Sequence, residues 1–140
     1  VQGLVKQAQS MPLEFSVAKL VFEKCPALRP LQAESFRAQL QSLSQVFTAN
    51  VKESAPAEVF QKNVAMNAAL ALGWADISGE RIALLPYESA GHLEAGKKLF
   101  ALLQAPPILD STAYTFVVDA WARALSLDGL YQWEYSNRRA

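Results

Sequence analysis

His92 is the one histidine of the chain, with Glu88 four residues before it and Glu94 two after. On one continuous helix Glu88 and His92 would share a face, and the carboxylate would raise the imidazole pKa into a pH-sensitive contact. Catalysis or zinc binding needs more than that. There is no second histidine, no cysteine nearby and no Ser-His-Asp order. A surface histidine near a helix start is the expectation. The carboxylates divide in the same way: Asp110 reads as a helix cap, Asp128 as a turn residue, and Asp119 as the i, i+4 ion-pair partner of Arg123. Spacing alone brings no two of them into one pocket. Cys25 is solitary, so no internal disulfide can form, and a lone cysteine is ordinarily a small buried hydrophobe. No catalytic residue, metal ligand or cofactor is expected, and the chain is expected not to be an enzyme.

Two other sets of residues could recognise a partner. Gln61, Lys62, Asn63 and Asn67 lie on one helical segment, with Arg81 beyond it, and amides and cations of this kind read bases and phosphates. Glu58, Asp76 and Glu80 oppose them, which leaves a thin positive footprint. At the other end of the chain Trp121, Tyr131, Trp133 and Tyr135 crowd together. Strand-like alternation would put Tyr131, Trp133 and Tyr135 on one face and Gln132 and Glu134 on the other. Large rings bury area at little entropic cost, so this face suits either internal packing or contact with a protein partner.

The totals narrow the choice. Thirteen basic residues balance thirteen acidic ones, and 51% of the chain is hydrophobic against 19% charged. Nucleic-acid affinity rests largely on phosphate neutralisation, so a neutral chain needs a segregated basic patch to supply it. A shortage of charge also leaves apolar surface for a partner to cover. No run approaches the roughly 18 apolar residues of a membrane span. The 140 residues suit a single helical domain, expected to be part of a larger protein and to work in the cytoplasm.

These residues need elements to position them. Ser10 and Pro12 predict the start of a first helix, apolar along Leu13, Val17, Leu20 and Val21 and again at Phe15, Ala18 and Phe22. A helix apolar on both sides is expected at the centre of the fold. Phe36, Leu40, Leu43, Phe47 and Val51 predict an amphipathic second helix from Pro30 to Val51. A third is expected from Pro56 to Gly73, with Val59, Phe60, Val64, Ala68 and Leu72 inward. Trp74–Ile77 and Arg81–Leu85, around Ser78-Gly79, then read as a β-hairpin closed by Pro86. A fourth helix follows from Ser89 to Gln104 and a fifth from Asp110 or Ser111 to near Gly129. The tail at 130–135 would add a third strand. The expected fold is mainly α, with about five helices and one central hairpin.

Helix, Gly, strand, tight turn, strand, Pro, helix is an order that resembles the winged-helix superfold over about residues 31 to 104. The passage from Leu70-Ala71-Leu72-Gly73 into Trp74–Leu84 looks like the step from recognition helix to wing. That resemblance implies a surface for DNA or for protein docking and dimerisation, and the neutral charge balance favours protein. The expected function is a non-catalytic protein-interaction or regulatory module with a protein partner or a second copy. The alternative is a winged-helix-type nucleic-acid-binding domain that uses Gln61, Lys62, Asn63, Asn67 and Arg81.

Overall fold

Residues 2–104, 108 and 110–134 are described by a computed structural model of the chain, and among them every regular element is helical. Seven α-helices follow in order: α1 (Gln2–Lys24), α2 (Arg29–Leu43), α3 (Ala49–Ser54), α4 (Ala57–Ser78), α5 (Leu85–Ser89), α6 (Leu93–Leu103) and α7 (Ser111–Ala124). Short 3₁₀ turns at Pro26–Leu28, Ser44–Phe47, Ile82–Leu84 and Asp128–Leu130 join or end them.

The central element is α4, whose residues from Val64 to Ala71 are all buried. The run is rich in small side chains, and these let neighbours approach closely from several sides. α6 lies against it at Gly96, where an added Cβ would stand 2.5 Å from Ala68 Cβ and 3.0 Å from the Ala69 backbone nitrogen. α1 crosses another side through Leu4, Ala8, Met11, Phe15 and Ala18, a 4-3-4-3 spacing that makes one helical stripe. α2 and the 82–84 turn cover the C-terminal part of α4, and α7 packs on α1 and α6. Two hydrogen bonds fix α7: Trp121 Nε1 donates to the Leu99 carbonyl at 3.1 Å, and the Tyr114 hydroxyl donates to the Gln9 carbonyl at 2.9 Å.

The expected hairpin is absent. Gly73, read as a helix stop, lies inside α4 because α1 needs the space: a Cβ there would come within 2.4 Å of Phe15 Cε2. Trp74–Ile77 therefore continues the helix. The true stop is Gly79, in the left-handed region at φ 78°, where its N–H still donates to the Ala75 carbonyl at 2.9 Å. Pro86 closes no strand. It occupies the first turn of α5, where a missing N–H costs nothing. With no strands among the described residues, the winged-helix resemblance falls as well.

Other boundaries move for similar reasons. α1 begins eight residues before Ser10, and Pro12 sits buried within it. The helix expected over 30–51 breaks into α2, a 3₁₀ turn and α3. Gly91, at φ 74°, separates α5 from α6, so Glu88 and His92 share no helix. The expectation that held best is α7, which Asp110 caps by accepting the Ala113 N–H at 2.8 Å. It ends at Ala124 rather than near Gly129.

Candidate functional site

α1 carries more apolar positions than its core stripe uses. Leu13, Val17 and Leu20 follow one another at steps of four and three on a different side, and they stand 43%, 52% and 51% exposed. The expectation that this stripe is internal is overturned: α1 is buried along one face and bare along this one. α2 leaves α1 after the tight 26–28 turn and touches it lightly. Between them opens a groove of about 540 Å³. Leu13, Val17, Ala18 and Val21 form its α1 wall, Gln32, Phe36 and Gln39 its α2 wall, and Glu14 is its one charged lining residue.

The α2 wall is held firmly. Phe36 stacks on the buried Trp74 ring at 4.5 Å with the planes 5° apart, and Phe22 meets the same ring edge-on at 6.0 Å. Trp74 Nε1 donates to Glu80 Oε2 at 3.3 Å, and the Arg37 guanidinium clasps both Glu80 oxygens. The Arg37 hydrogen bond holds the Glu80 carboxyl below its ordinary pKa against partial burial. At the floor, Gln32 Nε2 donates to the Ala18 carbonyl at 2.7 Å. Its Oε1 is shielded from water and has no donor among the described residues. Such an oxygen is normally satisfied; this one is closed off beneath the surface, and what the groove presents is its apolar walls.

The five residues proposed for nucleic acid part company in the structure. Gln61 is exposed near the N-terminal end of α4, and Lys62 beside it pairs with Glu58 at 2.6 Å. Arg81 is exposed beyond the other end, beside Leu72, Ala75 and Asp76, about three to four helical turns from Gln61. Asn67 is wholly buried, and Asn63 and Asn67 are joined to Gln7 in a closed ring of amides. The structure brings Asn63 and Asn67 together and separates them from Arg81.

The aromatic tail turns inward. Its backbone is extended at Tyr131, and Tyr131 and Trp133 are half-buried while Gln132 and Glu134 are exposed, so the alternation is as expected. Its partner is α7, not a strand. The Tyr131 hydroxyl and Trp133 Nε1 both donate to Asp119 Oδ1, at 2.6 and 2.8 Å, and Trp133 meets Tyr114 edge-on at 5.8 Å. Burial, then the bond to Asp119, pushes the Tyr131 phenol well above its usual pKa. Asp119 therefore serves the tail, and it makes no ion pair with Arg123. Tyr135 lies outside the described residues. His92 is half-buried against Phe47 and Phe60, with ring centroids 5.9 Å from each, and Cys25 is exposed rather than buried.

Among the described residues no group of three His, Cys, Asp or Glu side chains could hold a metal ion, and no helix is long and apolar enough to cross a membrane. Comparison with protein-family models, curated proteins and solved structures finds no match to this chain. The groove is a surface whose purpose the fold leaves open. The surplus of apolar positions in α1 was its signal in the sequence.

Proposed function

We propose that this chain is a non-catalytic protein-docking module, and that the α1–α2 groove receives an amphipathic helix of a partner protein. The observation that carries this is the exposure of Leu13 and Val17, which line a walled groove together with Ala18 and Val21 instead of lying scattered over the surface. From Leu13 to Val21 the α1 wall runs about 12 Å, two turns of a docked helix with apolar anchors at i, i+3 or i+4, and i+7. Nearly uncharged walls suit the desolvated centre of such a contact. The exposed Cys25 suits a reducing compartment, in keeping with a cytoplasmic setting.

The test is selection from a displayed library of amphipathic helical peptides. Recovered peptides should carry the i, i+3/i+4, i+7 apolar pattern, and Val17→Asp should weaken them at least about tenfold while leaving the melting temperature of the domain unchanged. Selection of no such peptide, or peptides indifferent to Val17→Asp, would overturn the assignment. Binding of mixed-sequence duplex DNA that falls with salt would move it to the nucleic-acid class.

A further inference from the structure

A second recess lies near the start of α1, away from the groove. Leu4 and Gln7 of α1, Val51 of α3, Ala55, and Val59 and Asn63 of α4 surround most of its roughly 380 Å³. That volume falls within the range of small-ligand pockets, about 300–1,000 Å³. No lining residue is charged. An ion entering it would leave water without a counter-charge, so the recess selects against charged guests.

Its one polar wall is the amide ring. Gln7 Nε2 donates to Asn67 Oδ1 at 2.7 Å, Asn67 Nδ2 to Asn63 Oδ1 at 3.1 Å, and Asn63 Nδ2 to Gln7 Oε1 at 2.8 Å. Each amide thus donates once and accepts once around a closed circuit, whose sense is set by the second N–H of Gln7. Gln7 directs a further contact to Met11 Sδ at 3.6 Å. A carboxamide has two N–H groups and two lone pairs on its oxygen. After the ring is closed, Asn63 keeps an N–H, and Gln7 Oε1 and Asn63 Oδ1 each keep a lone pair. Gln7 and Asn63 line the recess, while Asn67 stands fully buried behind them. The apolar wall opposite has no use for these groups, and a core needing only stability would do as well with hydrocarbon there.

We propose that this recess binds a small, uncharged, largely apolar molecule whose carboxamide or lactam head pairs with Gln7 and Asn63. Such a head offers one donor and one acceptor side by side, the complement of the N–H and lone pair left on the wall. The ring holds both amides in place before the ligand arrives, so little order is lost on binding.

Benzamide serves as the probe, with benzoate and toluene as its charged and headless counterparts, added to ¹⁵N-labelled protein. Benzamide should move the side-chain NH₂ signals of Asn63 and Gln7 saturably. Benzoate should bind at least about tenfold more weakly, since its charge finds no partner. Toluene should leave the amide signals in place. Val51 is 39% exposed at the rim, so Val51→Phe should narrow the recess without disturbing the core and abolish the benzamide shifts. Val17→Asp, in the separate groove, should leave them unchanged. Absence of the shifts in the wild-type protein, their persistence in Val51→Phe, or equal binding of benzoate would each overturn the proposal.

Discussion

Glu80 shows how one side chain can tie two helices. It follows the end of α4, accepts the Trp74 indole N–H, and receives the Arg37 guanidinium from α2. Because these donors favour the ionised form, its pKa is lowered in the folded chain, and Arg37 is correspondingly raised. A carboxyl whose folded pKa lies below its unfolded one stabilises the fold above the unfolded value, and that contribution disappears as pH falls through the folded value. Glu80→Gln keeps an acceptor for Trp74 but loses the charge. Its urea midpoint should lie below that of the wild type at about pH 7, and the two should converge only as pH falls through the lowered Glu80 value, beneath the ordinary carboxylate range. An equal gap above and below that value would mean that the carboxylate charge is not what holds α2. Glu58 and Glu94, also lowered by lysine partners, are present in both proteins and cancel from the comparison. None of this pairing was legible in the sequence, where Glu80 read only as a charge opposing Arg81. The same holds for Asn63 and Asn67. Their hydrogen-bonding capacity was evident, but Gln7, the residue that absorbs it, lies 56 and 60 positions away.

The helices themselves were largely visible in the sequence, and their ends were not, chiefly because glycine has two uses. Gly79 serves conformation: its φ of 78° is one that L side chains rarely adopt. Gly73 and Gly96 serve proximity, because in each case a neighbouring helix occupies the space of the missing Cβ. The letter G cannot distinguish the two uses, and reading Gly73 as a stop created the hairpin. Trp74 and Ile77 are also residue types that suit a strand, and the packing of Phe22 and Phe36 on Trp74 helps to hold them on the helix instead. Gly96→Ala separates the two uses experimentally. In an open helix it would gain about 1 kcal/mol. Here the new methyl meets Ala68 Cβ at 2.5 Å and α4 backbone at 3.0 Å, so no flexible side chain can yield and α6 must move. A net loss of about 2–3 kcal/mol is expected from urea unfolding. A stabilised variant would show that α4 and α6 do not approach so closely.

At the scale of the whole molecule, α1 decides the architecture by having two apolar sides and only one partner layer. The sequence displays both sides, and a surplus of this kind predicts a helix at the centre. α4 takes that place instead, since its Ala- and Gly-rich run tolerates neighbours all round, whereas the branched Leu13–Val17–Leu20 side of α1 would hold them at a distance. α4 is also the more apolar of the two on average, so its Ala-rich run, rather than the two-sided pattern of α1, was the sign of the central helix. The assignment of faces can be tested by stability alone, without any partner. Phe15 is 3% exposed, packs on Gly73 and meets Phe100 edge-on at 6.0 Å. Phe15→Ala should remove about 3–5 kcal/mol, a large share of the 5–15 kcal/mol that usually holds a domain together. On the bare side, Leu13→Ser, Val17→Ser and Leu20→Ser should each change stability by no more than about 0.5 kcal/mol. The three positions share one stripe but are only about half covered, against the full burial of Phe15, so their combined effect should remain below that of Phe15→Ala alone. If the serine triple variant unfolds as readily as Phe15→Ala, the stripe is already covered by its own chain, and the groove has no room for a guest. If it folds like the wild type and has lost the peptides selected on the groove, that face contributes to binding and little to folding.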